Sequence, residues 1–153
     1  MKISDILPEA LIISDLKGPT KQDVLRELAE CLATQHPDIE VGRLVDVLWE
    51  RERLGSTAIA DGIAIPHGKL PGLKTVLGAF GRHPQGVDFQ SLDGNVTKLF
   101  FLLVAPEDSV GQHLKALARV SRLLKEPSFR QQLMSAPDRS ALYRIIREED
   151  EKY

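Results

Sequence analysis

Seven residues from Lys98 to Val104, K-L-F-F-L-L-V, carry six apolar side chains in succession. A strand with one wet face alternates apolar and polar residues, so a run without alternation reads as a strand buried on both faces. Such a strand needs cover on each side, and the flanking segments can supply it. Before it, Thr20 looks like an N-cap, with Asp23 placed favourably for the helix dipole, and Val24, Leu25, Leu28, Ala29 and Leu32 repeat at helical spacing to about Gln35. Val41, Leu44, Val45 and Leu48 predict a second helix that runs through Trp49 and Arg51, with Gly55 as its C′ residue. After the run, Pro106-Glu107-Asp108-Ser109 opens a third helix with Leu114, Leu117, Ala118, Ser121 and Leu124 as its inward positions. Pro127 starts a shorter helix through Met134. Pro137-Asp138 starts a last one that turns Ala141, Leu142, Ile145 and Ile146 inward, and Glu148 to Tyr153 reads as a frayed tail.

Further strands are predicted at Leu11–Ile13, Ile63–Ile65 and Thr75–Gly81, with a short extended piece at Val87–Phe89. His83-Pro84 reads as a loop and Asp93-Gly94-Asn95 as a turn. Helices thus precede and follow a block of strands. The expected fold is α/β, a three-layer sandwich of a mixed β-sheet with helices on both faces. At 153 residues the chain is expected to be a single domain, residues 1–153 with a core of about 3–147.

Charge and composition narrow the function. A net charge of −2 gives no footprint for nucleic acid. No apolar run approaches the roughly 18 residues of a membrane span, and Met1–Asp5 does not read as a signal peptide, so a cytoplasmic protein without membrane insertion is expected. Cys31, the one cysteine, lies among Leu28, Ala29 and Leu32 and reads as a small buried hydrophobe. No Walker loop or G-x-G-x-x-G is present, which argues against nucleotide use.

The chemistry concentrates between Arg51 and Lys69. Pro66 cannot donate to a sheet ladder, so the strand before it should stop there, leaving His67 between proline and glycine. Gly68, without a Cβ, would let a partner approach closely, and Gly62 and Gly68 would permit close backbone packing. An imidazole is partly unprotonated near neutral pH and can attack phosphorus without a strong base. His113 falls near the start of the helix that opens at Ser109, where unpaired N–H groups favour an anion. Arg51, sixteen positions before His67, offers a planar fork for phosphoryl oxygens, with Arg53 as its rival. Ser56 and Thr57 suit phosphoryl contact or plain turn chemistry equally. Lys69 leans towards a solvated cation, and His36 and His83 are given no role.

Gly55 to Lys69, G-S-T-x-I-x-x-G-I-A-I-P-H-G-K, resembles the phosphorylation-site signature of enzyme IIA domains of the phosphoenolpyruvate-dependent phosphotransferase system, fructose/mannitol type, and most nearly its nitrogen-regulatory branch. The likeness extends from about Ile3 to Ile146. It implies that His67 accepts a phosphoryl group, through Nε2, from a phosphohistidine on an HPr-like carrier protein. It further implies that His113 and Arg51 assist. Ser56, Thr57 and Gly68 stand beside them as candidate phosphoryl-binding positions. No cofactor and no metal are implied. A regulatory phosphocarrier acting on target proteins is expected. The alternative is a free-standing sugar-specific enzyme IIA that serves a IIB component. A metal-dependent hydrolase built on the two histidines is a weaker reading, since no H-x-x-x-H or C-x-x-C accompanies them.

Overall fold

A computed structural model describes all residues, 1–153. Short 3-10 turns at Ile3–Asp5 and Glu9–Leu11 lead into strand β1, Ile12–Ile13. Helices α1, Lys21–Gln35, and α2, Val41–Arg53, follow, then β2, Ile63–Ala64, β3, His67–Leu70, β4, Leu77–Val87, and β5, Thr97–Pro106. Helices α3, Val110–Leu124, α4, Pro127–Ser135, and α5, Arg139–Asp150, complete the chain. The sheet runs β1-β4-β5-β2, and β3 continues along the same side of β5 as β2. The β4–β5 pairing is antiparallel and the others are parallel, so the sheet is mixed as expected.

Lys98 to Val104 lies inside β5, which pairs on both edges, and Leu99 to Ala105 are all buried. The two faces of the sheet follow from consecutive phenylalanines. Phe101 and Phe80 line one small apolar space with Val120, Leu123, Phe129 and Ile146, which come from α3, α4 and α5. Phe100 points the other way and meets Phe89 edge-on at 5.2 Å between centroids. Lys21 of α1 lies over that Phe89 ring at 4.7 Å. The 39 buried apolar residues form one contiguous cluster, so both helical layers share a core with the sheet.

Helix ends follow local chemistry. The Thr20 hydroxyl accepts the Asp23 N–H at 3.2 Å, and Glu40 caps α2 by accepting from Gly42 and Arg43 at 3.0 Å each. Gly55 sits at C′ of α2 with a positive φ of 152°.

Four expectations are corrected. His83-Pro84 is not a loop: both lie in β4, which extends to Val87 through a break in its register with β5 between Arg82 and Val87, where proline's missing N–H costs no ladder bond. Helix α3 is rotated from the expected phase: His113, Ala116, Val120, Leu123 and Leu124 are buried, while Leu114 is exposed. The tail is not frayed. Helix α5 runs to Asp150, whose buried carboxylate receives Arg119 Nε at 2.6 Å. Cys31 is only half-buried.

Candidate functional site

The segment between α2 and β3 is built as a small platform. Ala58 and Ala64 form an antiparallel bridge around a tight turn, in which Asp61 and Gly62 both adopt positive φ, 61° and 73°. The Ile63 N–H donates back to the Ala60 carbonyl at 3.3 Å. Two adjacent residues with positive φ make glycine the natural choice at position 62.

Pro66 ends β2, as expected, but the sheet does not end with it. The Pro66 carbonyl accepts Leu103 N–H at 3.0 Å, and pairing with β5 resumes at His67, opposite Leu103. His67 is therefore the first residue of a strand rather than part of a loop. Gly68 owes its identity to helix packing: a Cβ there would lie 2.6 Å from Val47 Cγ1 on α2. Because neighbouring strand residues face opposite ways, His67 points to the other side of the sheet, towards α3. There its ring meets His113, with centroids 5.4 Å apart and planes tilted by 51°.

Hydrogen bonding fixes the His67 tautomer. Nδ1 lies 2.8 Å from the Ile65 carbonyl oxygen. That oxygen can only accept, so Nδ1 carries the proton and Nε2 of the neutral ring holds the lone pair. Burial, the largest cause, lowers the His67 pKa, and the Arg51 charge lowers it further; the Ile65 contact and Glu52 pull the other way. His113 is lowered too, by burial first and then by His67 and Lys69. Burial and neighbouring positive charge thus favour the neutral form of both imidazoles, Arg51 acting on His67 and Lys69 on His113.

His113 is the fourth residue of α3, and its N–H donates to the Ser109 carbonyl at 3.0 Å. The three preceding amides have no partner within the helix. The His113 side chain is buried and its Nδ1 has no hydrogen-bond partner. Gly111, two residues earlier, faces open space. Arg51 lies in the last turn of α2 and donates from Nη1 to the Gly55 carbonyl at 2.8 Å, while Arg53 pairs with exposed Glu50. The geometry therefore separates the two arginines: Arg51 is the one whose charge reaches His67.

The hydroxyls of Ser56 and Thr57 are engaged. Ser56 Oγ donates to the Phe89 carbonyl at 2.8 Å and accepts from Ala58 N–H at 3.0 Å. Thr57 donates its hydroxyl to Glu52 Oε2 and its N–H to Glu52 Oε1. Sequence reasoning missed Glu52 and its partner Lys21, a buried ion pair at 2.9 Å, and left Lys69 as a solvated cation. A signal for Lys21 existed. A cation in the first turn of a helix opposes the dipole and calls for a specific partner. No group of three His, Cys, Asp or Glu side chains is placed to hold a metal ion, and the two imidazoles alone fall short of the three protein ligands of a catalytic zinc.

Residues 5–149 match the family described as phosphoenolpyruvate-dependent sugar phosphotransferase system, EIIA 2. A nitrogen regulatory protein of Bradyrhizobium diazoefficiens is 41% identical over 146 residues, 95% of each chain. One from Pseudomonas aeruginosa is 34% identical over the same proportions. The crystal structure of nitrogen regulatory protein IIA-Ntr from Neisseria meningitidis superposes with a TM-score of 0.88 at 32% identity, covering 94% of this chain and 98% of that one. No helix here is long and apolar enough to cross a membrane.

Proposed function

The chain belongs to the EIIA 2 family of the phosphoenolpyruvate-dependent sugar phosphotransferase system, and from that premise we propose that His67 is its phosphoryl acceptor. The protein is a phosphotransferase component, an enzyme IIA of the nitrogen-regulatory type. The observation that carries the assignment is the Nδ1–H to Ile65 hydrogen bond, which leaves the Nε2 lone pair available beside His113. Nε2 attacks the phosphorus of a phosphohistidine on an HPr-like carrier. The new N–P bond forms as the donor's N–P bond breaks, and the donor imidazole leaves with the electron pair.

Phosphoryl transfer is mostly positioning and charge stabilisation. Arg51 and Lys69 supply cationic charge and His113 a donor to the phosphoryl oxygens. Ser56 and Thr57 contribute by holding the loop, since their hydroxyl protons are already committed. Gly68 lets β3 sit close under α2, which sets the height of His67. Leu54, Ile59, Val110 and Leu114 are exposed apolar side chains on the segments that carry Arg51, the hairpin and His113. They form the contact surface for the carrier. Once formed, the phosphohistidine adds roughly −1.5 to −2 charges at this surface, by analogy with other phosphosites, and changes which protein docks next.

Incubation with phosphoenolpyruvate, enzyme I and the carrier protein tests this. One acid-labile, alkali-stable phosphoryl group per chain is expected, reached faster from a nitrogen-branch carrier than from a sugar-branch one. Arg51→Ala and His113→Ala should each slow transfer by roughly 10²-fold, in the range for loss of one charge-stabilising donor. Labelling that survives His67→Ala overturns the assignment.

A further inference from the structure

Glu52 is a buried, fully engaged carboxylate that the chemistry above does not employ. Its side chain is 1% exposed. Oε1 accepts Lys21 Nζ at 2.9 Å and the Thr57 N–H at 3.1 Å, and Oε2 accepts the Thr57 hydroxyl. Lys21 is fixed in turn by the Phe89 carbonyl and Gln90 Oε1, each at 3.3 Å, and by the Phe89 ring. Three donors converge on one carboxylate, an arrangement that only an acceptor-only group satisfies.

A buried ion pair is a weak device for stability, because desolvation offsets much of the attraction, so what it fixes in place has to explain it. Here it fixes Thr57. The Thr57 carbonyl accepts Ile65 N–H at 3.4 Å, and the Ile65 carbonyl accepts His67 Nδ1 at 2.8 Å. Pro66, with its locked φ, follows immediately and limits how the Ile65 carbonyl can swing. The chain of contacts runs from α1 through α2 to the loop and ends on the imidazole.

We propose that Glu52, anchored by Lys21, is a positioning residue for His67: through Thr57 it holds the Ile65 carbonyl where it keeps the proton on Nδ1 and the lone pair on Nε2. This deepens the reading of His67 as acceptor and rests on it for its consequence, but the ring tautomer is measurable without any phosphoryl transfer. The charge of Glu52 also opposes the lowering of the His67 pKa by burial and Arg51, an effect on total ring protonation that does not choose between the two neutral tautomers.

The test uses ring ¹⁵N chemical shifts of His67 in the full chain, unphosphorylated, with transfer kinetics measured in parallel. Thr57→Val leaves the Lys21–Glu52 pair in place and removes only the hydroxyl. It should move His67 towards the Nε2–H tautomer and lower kcat by roughly tenfold or more, with KM for the carrier unchanged, because misplacement of a reacting atom costs rate and not docking. Thr57→Ser should restore both. Glu52→Gln should act in the same direction where it folds; where it does not fold, Thr57→Val decides alone. Native ring shifts in folded Thr57→Val overturn the proposal. If His67 were not the acceptor, the tautomer would still change but no transfer would be lost, so the two failures are distinguishable.

Discussion

The reactivity proposed for His67 rests on one nitrogen being protonated and the other not. Both site histidines have pKa values below the ordinary 6.5, chiefly through burial. With the neutral ring as the proposed nucleophile, transfer should lose rate only below pH 6.5, and a pH–rate profile should place its acid limb lower than that of an exposed histidine. An acid limb at or above 6.5 would contradict the burial argument. Stability follows the same sign. Below 6.5 the unfolded chain binds more protons than the folded one, so these two rings add stability that is whole above 6.5 and is lost as pH falls through their lowered folded values. Denaturant titrations between pH 7 and pH 5 should show that decline, reduced in His67→Ala.

At the scale of elements, β3 depends on its fit under α2. The ideal Cβ of an alanine at position 68 would meet Val47 Cγ1 at 2.6 Å and Leu48 Cδ2 at 3.7 Å. Gly68→Ala should therefore destabilise by about 1–3 kcal/mol, the usual cost of overfilling a packed contact, and Val47→Ala should recover part of it. Paired unfolding curves check both. The sequence offers two readings of Gly68, clearance for a partner and close backbone packing; what it does not show is that the packing neighbours are Val47 and Leu48 of α2. The phase of α3 was not legible either. Leu114 and Leu117 suggest an inward leucine stripe, yet His113 takes the inward place because it faces His67, and Leu114 is displaced outward. Functional burial of a polar residue defeats hydrophobic periodicity at such a point. His83-Pro84 misled for a related reason. A proline reads as a break, but a strand tolerates one where its register with the neighbour is already interrupted.

The molecule as a whole was more readable than its joints. The unbroken apolar run of β5 implied cover on both faces, and α1, α2, α4 and α5 fall close to their expected positions. Long-range polar contacts escaped, because nothing local marks them. The charged C-terminal segment is the plainest example. Asp150 is 1% exposed, Arg119 reaches both its carboxylate and its carbonyl, and Lys2 donates to the Asp150 carbonyl and the Tyr153 carbonyl. These contacts tie the two ends of the chain to α3. Arg119→Ala should cost about 3–5 kcal/mol, as for a buried carboxylate stripped of its partner, whereas a frayed tail would show no change in the unfolding midpoint.

All of these levels converge on the orientation of one imidazole, and the isomer of the phosphohistidine reports it. The phosphorylated protein, examined by ¹⁵N and ³¹P NMR, should carry its phosphoryl group on Nε2 of His67. A phosphoryl group on Nδ1 of that ring, or on any other residue, would contradict the tautomer set by the Ile65 carbonyl.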